Sequence, residues 1–240
     1  AYGVGSDTGY GGGSGSTTTM QYGSNISSYN NIQYHTPADL LPYGITFKYG
    51  LTPAGAQSGT NDSTHAVTSG TTPGDMTQMA LTSTPIDGLT ISASYYDFDE
   101  MGNRDSKQSQ EGGSVALNYS FGNLSVGYGE TRHAPALRTG QSNTAAHVKH
   151  YENEAYSIGW AVNDSLSVSY TNEESTRIKA YDNVSGTRQD SNTTMEIDTI
   201  DLSYTVGGMT LGLSQSETSL DSYTTGDEVT ETIVAVTMAF

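Results

Sequence analysis

Apolar and polar residues alternate with period two in eleven segments between Ser28 and Phe240. That pattern predicts strands with one apolar face. In GSVALNYSF, Val115, Leu117, Tyr119 and Phe121 share a face, and Ser114, Ala116, Asn118 and Ser120 share the other. Gly122 and Asn123 then turn the chain into LSVGYGE, where Leu124, Val126 and Tyr128 continue the apolar row. A two-residue Gly/Asn connection predicts a primed hairpin turn, whose twist matches that of its flanking strands. The construction recurs: AYSIGWAV (Tyr156, Ile158, Trp160, Val162) turns at Asn163 and Asp164 into LSVSY. DLSYTV (Leu202, Tyr204, Val206) likewise turns at Gly207 and Gly208 into MTLGLSQ. Upstream, SYNNIQYHT and GITFKYGL form a first pair, and MTQMALTST and LTISASYYDF a second, while ETIVAVTMAF is the last strand.

Longer connections separate these hairpins: Thr52 to Asp75, Asp99 to Glu111, His133 to His150, Glu173 to Asn192 and Thr218 to Asp227, all polar and rich in Gly, Ser, Asn and charge. Short turns at one end and long loops at the other predict an all-β, antiparallel up-and-down meander. Strands of about 9 to 11 residues suit a tilted bilayer crossing. The face opposite the apolar row is Ser, Thr, Gly, Asn and Gln almost throughout. A soluble sandwich would carry Lys and Glu there and would not sort its turns by length. The pattern therefore predicts a transmembrane β-barrel over residues 28–240, preceded by a Gly/Ser/Thr-rich segment at 1–27.

Aromatic placement adds to this. With Phe240 ending a descending strand, Tyr34, Tyr119, Phe121, Trp160 and Tyr204 are expected at the lower strand ends, and Tyr49, Tyr95, Tyr128 and Tyr170 towards the upper ends. Two aromatic rows bracketing Leu, Ile, Val and Ala are the girdles that form where amphipathic rings sit at lipid headgroups.

Composition then narrows the function classes. The 240 residues hold 9 Lys+Arg against 26 Asp+Glu, a formal net charge of −17, and 28 Gly but no Cys. Direct nucleic-acid binding needs clustered Lys and Arg and is not expected. The absence of Cys removes disulfides, thiolate catalysis and Cys-ligated metals. Such polarity with such charge would suggest disorder, were it not for 17 Tyr and the regular alternation.

The closing VAVTMAF, with Val234, Val236, Met238 and terminal Phe240, resembles the C-terminal signature of Gram-negative outer-membrane proteins. The span from Ser28 resembles the later part of a sixteen-stranded general diffusion porin. SYNNIQYHTP followed by ITFKYG is similar to the strand pair after that family's inward-folded third loop. The resemblance implies a bacterial outer-membrane location, passive diffusion of small hydrophilic solutes and ions, and no catalysis. It also implies contact with outer-membrane lipid and lipopolysaccharide, recognition of Phe240 by the barrel assembly machinery, and a homotrimer. Even strand parity in the family makes residues 1–27 the expected end of the constriction loop, with about five strands preceding Ala1. A weak further strand over Ser16 to Tyr22 gives the alternative, a complete twelve-stranded barrel serving as adhesin or structural protein.

A channel of this type selects by lumen width and charge. Strand parity assigns Lys48 and Asp201 to the lumen wall, with Asn31, Gln33, Gln78 and Asn118 as neutral lining beside Ser94, Ser120, Ser169 and Thr210. The resemblance implies basic wall groups, of which Lys48 is the best match, facing an acidic third loop. Asp7 is the acid available there, and the family's Pro-Glu-Phe-Gly phrase is absent. The excess of acids predicts a modest cation preference. The HVKH phrase (His147, His150) with His133 has a spacing that could suggest a metal, but exposed loop histidines are the expectation. No metal or cofactor is expected. Acidic stretches such as Glu173 and Glu174 read as solvated loops with a capacity to bridge divalent cations. No Ser/His/Asp constellation can be assembled.

Overall fold

A computed structural model describes residues 31–37, 39–55, 74–99, 106–108, 111–134, 137–138, 147–182, 188–220, 223, 226 and 228–238. Its strands are β1 (Ile32–His35), β2 (Thr46–Gly55), β3 (Gly74–Ser83), β4 (Leu89–Asp99), β5 (Ser106–Gln108), β6 (Glu111–Phe121) and β7 (Leu124–Ala134). They continue as β8 (Leu137–Arg138), β9 (His147–Asn163), β10 (Leu166–Asp182), β11 (Arg188–Val206), β12 (Met209–Ser219) and β13 (Glu228–Met238). Eleven of them form one antiparallel sheet in the order β1-β2-β3-β4-β6-β7-β9-β10-β11-β12-β13, so each pairs only with its neighbours in the chain; β5 and β8 pair separately. Within the described residues this sheet is open, with β1 and β13 at its edges. The up-and-down meander follows the alternation read from the sequence.

The tight turns take the conformations their residues favour. Gly122 has φ 57° and Gly207 and Gly208 have φ 58° and 81°, the left-handed region that primed hairpins require and that Gly enters without steric cost. At the third hairpin the Asn163 side chain does the same work: its Oδ1 accepts hydrogen bonds from the backbone N–H of Ser165 and Leu166 at 2.9 and 3.0 Å. Asx geometry of this kind replaces a backbone turn bond.

One loop expectation is corrected. The stretch from Glu173 to Asn192 is not a loop as a whole: β10 runs on to Asp182 and β11 starts at Arg188, leaving 183–187 between them. Ladder pairing continues from Glu173 opposite Ile197 to Asp182 opposite Arg188. Thr176, Ile178, Thr193 and Thr194 in this stretch are β-branched residues that suit a pleated surface. Composition had suggested a loop because the stretch is polar on both faces. As a result β9, β10 and β11 are 17, 17 and 19 residues long, against 10 or 11 for β2, β3, β4, β6, β7, β12 and β13.

The register gives the strand tilt. On β3 the uppermost apolar residue of the outer row is Met79. Its level runs across the ladder through Tyr95, Gly113, Arg132, Glu152 and Thr176 to Thr194 on β11. On β11, however, the uppermost apolar residue of that row is Ile200, six residues below Thr194, after six strand-to-strand steps. The apolar band thus drifts one residue per strand. A rise of about 3.4 Å against a strand spacing of about 4.8 Å corresponds to a tilt of about 35°, within the range of membrane barrels.

The two clusters of buried apolar side chains lie towards the upper ends of the strands. Met76, Tyr96 and Phe98 form one cluster, and Tyr151, Met195, Ile197 and Tyr223 another. All except Tyr223, which lies between β12 and β13, belong to the face opposite the exposed apolar row. Gly112 makes room for the first cluster: a Cβ there would lie 2.6 Å from the Tyr96 ring and 2.8 Å from the Arg132 carbonyl oxygen. Gly112→Val is therefore expected to lower unfolding free energy by about 1–3 kcal/mol, measured by urea titration in detergent micelles. Wild-type stability in this variant would show that the Tyr96 slot is not sterically closed.

Candidate functional site

The outer face carries an apolar belt. Val115, Leu117, Phe121, Tyr156, Ile158, Trp160, Ile200, Tyr204, Val206, Leu211, Leu213, Val234, Val236 and Met238 are all exposed. At 52% for Trp160 and 66% for Val234, this is far more than the scattered apolar exposure of a soluble protein. Above the belt the same row turns charged. Tyr128 is followed by Glu130, Tyr156 is preceded by Glu154, and on β11 Asp198 and Glu196 stand above Ile200.

Aromatic side chains sit at both margins. Phe121 and Trp160 are on one level through Leu124, with Tyr204 one pleat lower on β11 as the tilt requires. Tyr119 stacks on Phe121 with centroids 5.3 Å apart. Tyr128 lies directly opposite Tyr156, whose ring is 6.5 Å from that of Tyr170. Tyr95 donates to Glu111 at 3.0 Å, and Tyr170 to Asp198 at 2.5 Å. The sorting of Tyr34 and Tyr49 to opposite margins is corrected: they are cross-strand partners on one level. The sequence places each relative to its strand end, and β1 is too short, at four residues, for that to measure height. Tyr156 was missed, although it lies directly opposite Tyr128 in the same outer row.

The inner face is polar over its lower part. Gln33, Gly50, Gln78 and Tyr96 share one level, and His35, Lys48, Ala80 and Ser94 the next. Asn31, Gln33, Lys48 and Gln78 therefore cluster on β1 to β3, with Lys48 exposed. Asn118 is central, on the level of Gly127 and Ser157. Asp201 lies far across the sheet on β11, receiving a hydrogen bond from Ser169 at 3.4 Å; Lys48 and Asp201 are not brought together along the sheet. Ser94 and Ser114 hydroxyls are 2.7 Å apart, and Ser120 and Thr210 belong to the same face. Asp7 and Phe240, and the acids at Asp221 and Asp227, lie outside the described residues.

At its upper end this face holds a continuous aromatic run that sequence reasoning missed. Successive ring centroids are 6.2 Å from Phe98 to Tyr96, 6.2 Å to His133, 6.1 Å to Tyr151 and 5.7 Å to Tyr223. Tyr223 reaches in from the connection between β12 and β13. Its hydroxyl and that of Ser175 are 2.6 Å apart, Arg177 donates to its carbonyl oxygen at 3.1 Å, and the guanidinium carbon lies 4.7 Å from the ring centroid. Ser175 also bonds Asn153. The available signal was the departure from apolar-out alternation at Met76, Tyr96, Phe98, Tyr151, Met195 and Ile197, which places large side chains on the polar face.

His133 was expected to be exposed in a loop, and this is corrected: it is fully buried on β7. Its inward parity, shared with Thr131 and Gly129, puts it between Tyr96 and Tyr151. It points away from His150, which bonds Glu152 on the outer face at 3.2 Å, so these two histidines cannot share a metal. Among the described residues no three His, Cys, Asp or Glu side chains form a metal-binding group.

No family model matches the chain, and no curated protein matches it. Among solved structures it is similar to OmpT (in-vitro folded), an outer membrane protein of Vibrio cholerae, at 11% identity and a TM-score of 0.48 over 86% of this chain and 60% of that one. The chain thus spans 60% of the length of that structure.

His133 stands above the apolar belt, beyond Tyr128 and Glu130. Its Nδ1 is 2.5 Å from the Tyr96 hydroxyl, while Nε2 is buried with no hydrogen-bond partner. Burial pushes its pKa down from 6.5 to about 4. Because the folded-state value is depressed, the unfolded chain takes up the proton first. The associated stability is complete above about pH 6.5 and is lost as pH falls towards 4. The loss is on the order of 3 kcal/mol. His133→Phe is expected to flatten this acid limb in denaturant midpoints measured between pH 7 and 4; an unchanged limb would remove His133 as its source.

Proposed function

We propose that this chain is an outer-membrane β-barrel whose inner face lines a water-filled channel for passive diffusion of small hydrophilic solutes and ions. The observation that carries the reading is the exposed apolar belt. It is bordered by aromatic side chains, backed by a face of Ser, Thr, Asn and Gln, and drifts one residue per strand as a tilted barrel demands. Lipid is the medium in which such a belt is stable, and closure is what satisfies the edge strands there. Diffusion requires no covalent step, and the described polar residues of the inner face supply hydrogen-bonding groups for water and solutes. Asp201, Glu173 and Glu231 on the inner face, with a net charge of −17, support a cation preference, opposed locally by Lys48 and Arg177. A homotrimer, assembly through Phe240 and contact with lipopolysaccharide follow from the same reading.

A second reading rests on the aromatic run. A buried stripe from Phe98 to Tyr223 fills part of the upper inner face, and β9 to β11 extend well above the belt. Both features suit a barrel used as structural anchor or adhesin.

Conductance separates the two. The refolded full-length protein, in planar bilayers, is expected to show stepwise openings and a reversal potential favouring cations in a KCl gradient. Asp201→Asn should move that potential towards neutrality, and Lys48→Gln should increase cation preference. Refolded, heat-modifiable protein without steps would overturn the channel and leave the anchor; clear anion preference would overturn the charge argument.

A further inference from the structure

Just above the belt, on the outer face, four glutamates occupy one level on four adjacent strands. Glu130 is opposite Glu154, Glu154 opposite Glu174, and Glu174 opposite Glu196. One pleat lower Asp198 and Glu217 are opposite each other. Like charges directly opposed across a ladder are destabilising. Arg132 offsets one end, 3.4 Å from Glu130 and 3.7 Å from Glu152, but no described basic side chain forms an ion pair with Glu174, Glu196 or Asp198.

Asn172 lies at the centre of this group, opposite both Tyr156 and Asp198. It is 2% exposed, unusual for an amide on an outer wall. Its Nδ2 donates to Glu196 Oε1 and to Asp198 Oδ1, each at 3.0 Å. Its Oδ1 is buried with no hydrogen-bond partner, and a buried unsatisfied acceptor calls for an explanation. A half-turn of the carboxamide brings Oδ1 to where Nδ2 now stands, and three oxygens from Asn172, Glu196 and Asp198 then converge. Ca²⁺ takes such carboxylate and amide oxygens at about 2.3–2.6 Å and needs about six to eight of them, while Mg²⁺ takes about six at about 2.0–2.1 Å.

We propose that Asn172, Glu196 and Asp198 bind a divalent cation, Ca²⁺ or Mg²⁺, whose coordination is completed by the phosphate of an anionic lipid headgroup. The wall provides only part of a shell, in keeping with the absence of a three-carboxylate or histidine group among the described residues. The height of the site supplies the rest. Asn172 is one pleat above Tyr170, the last residue of the belt on β10, and Tyr170 itself bonds Asp198. With the belt in lipid, that level is where headgroup phosphates meet the wall. The cation neutralises the opposed carboxylates and joins the wall to the leaflet. This proposal rests on the outer face meeting lipid.

The full-length protein, refolded in zwitterionic detergent micelles, is titrated with CaCl₂ by calorimetry. Saturable binding is expected, weakened about tenfold or more in Asn172→Leu and in the Glu196→Gln/Asp198→Asn double variant. Asn172→Asp distinguishes a ligand from a tie. It keeps the oxygens and removes the N–H donors, so a cation site predicts affinity held or raised, and a purely structural amide predicts it lost. In nanodiscs, phosphatidylglycerol in place of phosphatidylcholine should tighten Ca²⁺ binding more in the wild type than in Asn172→Leu. Inorganic phosphate added to phosphatidylcholine discs should not reproduce that gain. Equal titrations of wild type and Asn172→Leu, loss in Asn172→Asp, an equal lipid gain in both proteins, or a phosphate gain matching the lipid one would each overturn the proposal. Heat-modifiable migration is followed in parallel. A refolded barrel without Ca²⁺ binding sinks this proposal alone, whereas a chain soluble without detergent sinks the membrane reading beneath it.

Discussion

Backbone hydrogen bonding between neighbouring strands is the interaction on which everything else in this structure depends. Over the lower part of the sheet no core holds the strands: the outer row is exposed and the inner row is small and polar. Register is fixed by the ladder, by the turns at Gly122, Asn163 and Gly207, and by the requirement that every strand send its apolar residues to the same side. A slip of one residue would invert both faces at once, which is why eleven strands keep one parity.

Packing of the ordinary kind returns only above the belt, and on the other face. There Phe98 meets Tyr96 edge to face, His133 stacks on Tyr151, and the Tyr96–His133 and Tyr151–Tyr223 pairs are tilted, an arrangement that adds to simple burial. The Arg177 guanidinium over Tyr223 ties the last connection to β10. The sheet therefore relies on its surroundings below and on its own side chains above.

Much of this was legible in period two. The strands, their order, the tight turns and the two faces follow from alternation, because an alternating strand has little choice once one face must be apolar. The extents of β10 and β11 were not legible: from Glu173 to Asn192 both faces are polar, and alternation without hydrophobicity leaves no trace. The burial of His133 was hidden for a related reason, since the rings on either side of it come from β4 and β9. Likewise the inward parity of Lys48 and Asp201 could be read locally, but not their separation across the sheet. The role of Asn172 depends on acids on β11, some 25 residues further along the chain, which no local pattern reports.

The drift of one residue per strand also has a consequence for circumference. A strand inclined by about 35° occupies about 5.9 Å of wall rather than about 4.8 Å. The eleven strands thus contribute about 65 Å of perimeter, which closed on itself would bound a cylinder about 21 Å across between backbones. Each further strand would widen that cylinder by about 2 Å, so small inward side chains are what turn such a perimeter into open cross-section. On the channel reading, the Ser, Thr and Gly of the inner face are in this sense a statement about aperture: they keep the wall thin where the bore would have to be wide.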